Sequence, residues 1–324
     1  AQAAAPPPTA TNPPTAVIAS ATPLPPSPTV APSATPVPPT PTPDPQPLVG
    51  IQVGHWKIED HPDEQARLRR FSGAYYGGYD EWEINIVIAE LLRDRLEAAG
   101  VRVELLPATV PIGYRADAFI SIHADGVDQS IAGIRRGWKV ATPFRSSLAG
   151  EQLAAAISET YPSATGLPYD PRGISYDMRA YYAFAHYRYR HAIDPGTPAV
   201  LVECGFMTNP IDRELLFNQP DLIAAGIAEG VLNYLAARDP ADAAATEPRG
   251  RPMQRPLGAD IPLLADAAAN ARVLRTLDPN DRLVPMAESQ GWLLVFTHGG
   301  DWDLGWVRVD QVEPTDDPLV PPET

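Results

Sequence analysis

The sequence predicts an α/β domain with a mostly parallel, twisted sheet flanked by helices, followed by a small all-β barrel. In residues 48–239, apolar runs of strand length alternate with segments of helical period, which is typical of right-handed βαβ units and parallel strands. Residues 257–312 contain short apolar pieces separated by turn signals, a pattern that favours a small β-barrel. Residues 1–47 contain 17 of the 39 prolines and one charged side chain, Asp44, so they cannot bury a core.

The segments outside these two domains are predicted to be a stalk, a linker and a tail. The composition of residues 1–47 is that of polyproline spacers, and we expect an extended, disordered stalk. The linker covers residues 240–256 and the tail covers residues 313–324. The chain begins with Ala and has no charged region followed by an apolar one. We interpret this as a leader that has been removed or left out, and expect an extracytoplasmic protein that is secreted or associated with the cell envelope.

The composition excludes several classes of function. The formal net charge of −15 and the pI near 4.8 argue against a nucleic-acid partner, because phosphate binding requires a clustered basic surface. No run of 18 or more apolar residues occurs, so we expect no transmembrane segment. The single cysteine, Cys204, excludes an intramolecular disulfide and a multi-cysteine zinc site. Because Cys204 lies inside a predicted strand, we interpret it as a small packed hydrophobe rather than a nucleophile.

The α/β domain opens with a strand, a long loop and a helix. The first apolar run predicts a strand that stops at His55. Residues 57–78 are charged and then rich in Tyr and Gly, which predicts a long loop at the rim of a site. Asp80 can N-cap the next element with Glu83 three residues later, and the period of the apolar residues predicts a helix that ends at Gly100.

The remaining elements of this domain follow from the period of their apolar residues. We predict strands over 101–106, 117–123, 134–142 and 197–206. We predict helices over 146–160, 179–192, 212–217 and 222–236, of which the second is rich in aromatic residues.

Polar residues lie where predicted strands end and where the first helix begins. His55 ends the first strand, Glu81 lies in the first turn of the helix, and His123 ends the third strand. The carboxyl ends of parallel strands and the N-termini of helices share one edge of a sheet, where ligands bind. Two imidazoles and one carboxylate form a catalytic zinc set with a fourth position open for water. Glu203 ends a fourth strand at the same edge, where it can serve as general base.

Other roles stay open for these residues. Glu81 also suits the positive end of a helix dipole, and His55 also suits an ordinary turn. His61, in the charged loop, is the main rival for a place among the metal ligands. We interpret His186 and His191 as surface or supporting residues. The sequence therefore predicts a metal site in which one ligand place is contested.

Five short motifs stand in order across residues 49–237. They are VGHW at His55, Glu81 and Asn85 with three residues between them, ISIHAD around His123, the pair Arg172 and Gly173, and VLVECGFMTNP from Val200. Each motif is short, but their order and separation together resemble the zinc-dependent N-acetylmuramoyl-L-alanine amidases of bacterial cell-wall turnover.

The resemblance implies a Zn²⁺ ion held by His55, Glu81 and His123, with Glu203 as the catalytic carboxylate. The implied substrate is peptidoglycan, at the amide that joins the lactyl group of N-acetylmuramic acid to L-alanine of the stem peptide. In that mechanism the zinc polarises the carbonyl, and Glu203 passes a proton from water to the leaving amine. Three further residues are predicted to lie near the substrate: Arg172, Asp125 and Asn85.

Two motifs in the C-terminal segment, GWLLVF at Trp292 and GWVRV at Trp306, resemble bacterial SH3-type domains. Such domains often bind wall peptides, and a purely structural cap is the alternative interpretation. We therefore expect an SH3-like barrel over residues 257–312.

The leading hypothesis is an exported zinc amidase that cuts peptidoglycan, held at a distance by the proline-rich stalk. We also expect an anchoring or activating partner in the cell envelope. Two alternatives stay open. A zinc carboxypeptidase-like hydrolase of stem peptides would use the same residue types, and a catalytically silent wall-binding module would retain the same fold.

Overall fold

The computed structural model describes residues 46–298 and 304–315. The predicted stalk, apart from its last two residues, and most of the predicted tail lie outside the described residues. Within the described ranges, no helix is both long and apolar enough to cross a membrane.

The α/β region contains seven strands and six helices. Its strands are β1 (Leu48–Val53), β2 (Tyr75–Tyr76), β3 (Tyr79–Asp80), β4 (Arg102–Leu106), β5 (Ala118–Asp125), β6 (Lys139–Ala141) and β7 (Ala199–Phe206). Its helices are α1 (Glu81–Ala98), α2 (Leu148–Thr165), α3 (Tyr176–Arg179), α4 (Pro210–Asn218), α5 (Pro220–Ala237) and α6 (Ala243–Thr246).

Five of these strands form the central sheet, in the order β4-β1-β5-β7-β6. The strands β4, β1, β5 and β7 are parallel to one another. The edge strand β6 runs antiparallel to β7. The predicted α/β class with a mostly parallel sheet is thus confirmed. The strand predicted over 134–142 is shorter than expected, because only the three residues of β6 pair with β7.

The two faces of the central sheet are covered differently. Helices α1, α2 and α5 bury one face in a continuous apolar core. Helix α5 lies so close to α2 that a Cβ atom on Gly230 would stand 2.6 Å from the Cα atom of Ile157, so glycine is required there. The other face is covered by the short helix α3 and by irregular segments. Because β1 and β5 are buried along nearly their whole length, their carboxyl ends are held rigidly.

Most predicted helices are confirmed with small changes at their ends. Helix α1 begins after Asp80, whose backbone N–H donates to the Glu83 carboxylate at 2.9 Å, and the chain turns at Gly100 with φ of 84°. Ser147 caps α2 by accepting from the backbone N–H of Gly150. The Asp80, Glu83 and Gly100 signals are those from which α1 was predicted, while the Ser147 cap adds a second local reason for α2 to begin there.

The helix predicted over 179–192 is wrong. Only Tyr176–Arg179 is helical there, and Tyr182–Phe184 forms a 3₁₀ turn. Side chains over 185–190 alternate between buried and more exposed, which is the period of extended chain rather than of a helix. Tyr and His also have low helix propensity, so packing against two neighbouring cores overrides the local pattern. We call residues 181–193 the strap.

The long loop predicted over 57–78 is present and is anchored. It contains 3₁₀ turns at Ile58–Asp60 and Asp63–Arg70 and then the hairpin β2-β3. Gln65 is fully buried and donates to a backbone oxygen of the strap at 2.9 Å. Glu64 accepts from two backbone N–H groups of the strap, at 3.1 and 2.8 Å. The loop therefore packs on the α/β region through the strap.

The described residues of the C-terminal region form a seven-stranded antiparallel sheet. Its strands are β8 (Gln254–Pro256), β9 (Ile261–Leu264), β10 (Val273–Leu277), β11 (Arg282–Ser289), β12 (Trp292–His298), β13 (Leu304–Arg308) and β14 (Val312–Pro314). They lie in the order β10-β9-β13-β12-β11-β8-β14. The predicted all-β character of this region is confirmed. Strand pairing begins earlier than expected, at β8, which lies in the predicted linker. Closure into an SH3-like barrel stays a prediction.

One apolar face of this C-terminal sheet packs on the strap. The buried residues Ala185, Tyr187 and Tyr189 share a cluster with side chains of β11 and β12. The rings of Tyr187 and Phe296 lie 5.6 Å apart between centroids. The strap is therefore held from two sides, by the 57–78 loop and by the C-terminal sheet.

Candidate metal centre

Three polar side chains meet at the carboxyl edge of the central sheet. His55 follows β1, Glu81 is the first residue of α1, and His123 lies near the end of β5. Each offers a ligand atom, and these atoms lie within 4.8 Å of one another. These residues meet because the carboxyl ends of parallel strands and the N-termini of helices share one edge of a sheet, as was predicted from their positions in the sequence.

Glu81 is almost completely buried, and both of its carboxylate oxygens accept hydrogen bonds. Oε2 accepts from the backbone N–H of Ala74 at 2.8 Å. Oε1 accepts from the side-chain amide of Asn85 and from the backbone N–H of Ala124, each at 3.1 Å. Burial alone would raise the pKa of Glu81, but the neighbouring imidazoles and the donated hydrogen bonds lower it to about 2. The carboxylate is therefore charged and held in one orientation.

His55 is oriented by the loop that follows it. Its Nδ1 lies 2.7 Å from the carbonyl oxygen of Phe71 and donates to it, which leaves Nε2 free, 3.5 Å from Oε2 of Glu81. Burial lowers the pKa of His55, which favours the neutral imidazole that metals bind. His55 has φ of 62°, an uncommon backbone conformation for a residue with a side chain. A Cβ atom on Gly54 would collide with the His123 ring, so the turn requires glycine.

Both ring nitrogens of His123 have a partner. Nδ1 lies 2.9 Å from Oε1 of Glu81. Nε2 lies 3.1 Å from the hydroxyl of Tyr181, which is buried in the strap. Sequence reasoning missed Tyr181 because it was placed inside a predicted helix. The one available signal was the unusual density of aromatic residues in that segment.

Glu203 lines the same cavity as the three candidate ligands, and that cavity has a volume of about 390 Å³. It is the partner of His123 in the pairing of β5 with β7. Oε2 of Glu203 has no hydrogen-bond partner in the described part of the chain. Desolvation raises the pKa of Glu203 well above its ordinary value, the carboxylates of Asp125 and Glu81 raise it further, and Lys139 opposes them.

Lys139 was not predicted as a site residue. It pairs with Glu203 across β6 and β7, is buried, and forms an ion pair with Asp125. Burying an ammonium group is costly unless it is paired. A lysine inside the apolar run WKVA was the sequence signal for this ion pair.

The donor set fits a divalent metal ion. Two imidazoles and one carboxylate are the three protein ligands of many catalytic zinc sites. Across residues 46–298 and 304–315, this is the one group of three His, Cys, Asp or Glu side chains whose ligand atoms converge. The charged state of Glu81 and the lowered pKa of His55 are those that metal binding requires.

The three residues predicted to bind substrate occupy different positions. Asp125 lines the cavity. Asn85 is fully buried, and its amide donates to Glu81 and to the backbone oxygen of Gly54. Arg172 is exposed on the turn Pro171–Gly173 and is not among the residues that line the cavity. The structure thus places Asn85 beneath a candidate ligand, and the substrate contacts of all three stay predictions.

His61, the alternative metal ligand, and Cys204, the alternative nucleophile, are not among the three side chains whose ligand atoms converge. His61 is buried, with Nδ1 2.8 Å from Gln65 and 2.7 Å from the hydroxyl of Thr109, and it is not in the converging group. Cys204 is a fully buried free thiol, and burial raises its pKa, as expected for a packed hydrophobe.

Comparisons with known proteins bear on this site. Residues 49–233 match a family described as N-acetylmuramoyl-L-alanine amidase. Comparison with curated proteins gave no match. Among solved structures, an N-acetylmuramoyl-L-alanine amidase from Clostridium difficile 630 is similar, with 20% identity and a TM-score of 0.44 over 60% of this chain and 99% of that chain. A second amidase, from Nostoc punctiforme, has 25% identity and a TM-score of 0.40 over 58% and 97% of the two chains.

Proposed function

This chain belongs to the N-acetylmuramoyl-L-alanine amidase family, and on that basis we propose how its site hydrolyses peptidoglycan. The bond that is cut joins N-acetylmuramic acid to L-alanine of the stem peptide. We propose that a zinc ion is held by His55, Glu81 and His123 and that Glu203 is the catalytic carboxylate. The convergence of three ligand atoms within 4.8 Å, in one cavity with Glu203, supports this proposal.

The hydrogen bonds of the two histidines support one metal-binding nitrogen for each of them. His55 would bind through Nε2, because its Nδ1 donates to a backbone carbonyl. His123 would bind through Nδ1, which faces Glu81. When bound, zinc supplies a Lewis acid that polarises the scissile carbonyl and lowers the pKa of water.

Glu203 moves the proton in the proposed reaction. Its pKa is raised, chiefly by burial, which makes the carboxylate a stronger proton acceptor than an exposed one. Glu203 takes a proton from the attacking water and gives it to the leaving amine of L-alanine. The unpartnered Oε2 atom supports this role, since a carboxylate without a fixed partner in the described ranges is free to exchange a proton.

The wider organisation of the protein is also a proposal. We propose that the enzyme works outside the cytoplasm, where peptidoglycan lies, with residues 1–47 as a spacer. An anchoring or activating partner in the envelope would suit such a spacer. Residues 257–312 would form an SH3-like domain, for which the antiparallel pairing of β8 to β14 is the support.

The test is product analysis on purified peptidoglycan, with zinc-loaded protein compared with chelator-treated protein. We expect mass spectrometry to find stem peptides with new free L-alanine amino termini, only after zinc loading. Release of a terminal amino acid instead would favour the carboxypeptidase-like alternative. Zinc binding without any product would favour the silent module.

A pair of histidine variants tests the ligand set. His123→Gln should lose bound zinc and activity together, because it removes a ligand atom. His186→Gln changes an exposed histidine outside the converging group, so zinc content should stay at the wild-type level. Metal analysis that finds full zinc occupancy in His123→Gln would contradict the proposed ligand set.

A further inference from the structure

The strap places the hydroxyl of Tyr181 next to Nε2 of the candidate ligand His123. The Tyr181 hydroxyl lies 3.1 Å from Nε2 of His123. The two rings meet edge to face, with 5.2 Å between centroids and 89° between planes. Both side chains are buried, so this contact is shielded from solvent.

The hydrogen bonds around Tyr181 run in one direction. If Nδ1 of His123 binds a metal, its proton must lie on Nε2, which then donates to the Tyr181 hydroxyl. Tyr181 in turn donates to the hydroxyl of Tyr182 at 2.9 Å. Because its own hydrogen is already committed, the Tyr181 oxygen faces His123 as an acceptor.

We propose that Tyr181 is a positioning residue that holds His123 with Nδ1 toward the metal and the proton on Nε2. This inference rests on the proposed zinc site. A metal-bound histidine usually donates its other N–H to a fixed acceptor, which sets its tautomer and ring orientation. In this chain the acceptor is the Tyr181 hydroxyl of the strap, whereas the ligand His123 lies on β5 of the central sheet.

The strap is itself held from outside the site. Gln65 of the 57–78 loop donates to the backbone oxygen of His191 at 2.9 Å. On the other side, Tyr187 packs against Phe296 of the C-terminal sheet. These contacts keep the strap in place, so that the Tyr181 hydroxyl reaches His123 at a defined distance.

The test compares zinc affinity of two tyrosine variants by competition with a chelator. Tyr181→Phe removes only the hydroxyl, and we expect zinc affinity to fall by about 10- to 100-fold. Tyr234→Phe is the matched control, because it removes a buried hydroxyl that contacts the backbone of Asp117, 3.4 Å away. Its zinc affinity should equal that of the wild-type protein.

A spectroscopic measurement separates positioning from general stability. In zinc-loaded protein with ¹⁵N-labelled histidine, the His123 Nε2–H signal should be protected from solvent exchange. In Tyr181→Phe that proton should exchange faster, while the thermal midpoint stays close to that of Tyr234→Phe. His123 can be assigned by loss of its signal in His123→Gln.

The possible results separate this inference from the proposed function. Wild-type protein that binds zinc, with unchanged affinity in Tyr181→Phe, would overturn the role of Tyr181 alone. Zinc bound to Nε2 of His123 in the wild-type protein would do the same, even if Tyr181→Phe failed to fold. Wild-type protein that binds no zinc would overturn both proposals.

Discussion

The cavity has a ligand wall, formed by His55, Glu81 and His123, and a base wall, formed by Glu203, and the two differ in how completely their polar atoms are paired. On the ligand wall, His55, Glu81 and His123 each have a partner outside the group, from a carbonyl, from backbone N–H groups and from a phenol. On the base wall, Oε2 of Glu203 has no hydrogen-bond partner among residues 46–298 and 304–315. An ion pair between Lys139 and Asp125 lies beside it.

This difference corresponds to two tasks. A metal site needs ligands that are held in one geometry by surrounding hydrogen bonds. A general base needs a carboxylate that can gain and lose a proton, so a fixed partner would oppose it. Substitutions on the ligand wall should therefore change metal affinity, and substitutions on the base wall should change turnover while the metal stays bound.

Glu203→Gln should have the greatest effect on turnover. It keeps the shape of the side chain but removes the proton acceptor, so kcat should fall by about 10³-fold. Zinc content, measured by metal analysis, should stay the same. The matched control is Glu229→Gln on the exposed side of α5, which should retain full activity. Loss of zinc from Glu203→Gln would contradict the division between the walls.

Asn85→Leu tests the ligand wall. It removes the amide that donates to Glu81 at 3.1 Å, so zinc affinity should fall by about 10- to 100-fold. Chelator competition measures the affinity, and kcat at saturating zinc should change much less. A raised KM with unchanged zinc affinity would instead support the substrate-binding role predicted for Asn85.

Lys139→Met should have a smaller effect, seen in the pH profile. Lys139 lowers the pKa of Glu203 against burial and the neighbouring carboxylates, so its removal should raise that pKa further. The acid limb of kcat/KM should then move to higher pH. On that limb, kcat/KM at a fixed pH should fall about tenfold for each pH unit by which the limb moves. Zinc affinity should not change.

The double variant Lys139→Met/Asp125→Asn is the control for this prediction. It removes the lowering effect of the ammonium group and the raising effect of the carboxylate together. Its pH profile should lie closer to that of the wild-type enzyme than the profile of Lys139→Met does. A double variant that lies further away would show that the ion pair acts in another way.

The parts of the fold that depend on local signals were predictable. The capping pair Asp80 and Glu83 begins α1 as expected, and the apolar runs of β1, β5 and β7 form the parallel centre of the sheet. The meeting of His55, Glu81 and His123 followed from a general rule about the carboxyl edge of such sheets. Each of these inferences uses only neighbouring residues or element order.

The parts that failed or were missed depend on contacts between distant segments. The helix predicted over 179–192 is a strap, because its tyrosines fill two separate cores. Tyr181 and Lys139 reach the site from elements whose position no local pattern indicates. Tertiary packing overrides weak local propensity in such segments.

For this protein, residue order alone was enough to indicate the parallel sheet, most of its helices and the meeting of His55, Glu81 and His123. Those features follow from periods, caps and element order, which are local or topological. The tertiary structure decided which neighbours hold each of these side chains. Hydrogen bonds of about 3 Å between residues as distant in sequence as His123 and Tyr181 arise only when the strap packs between the loop and the C-terminal sheet.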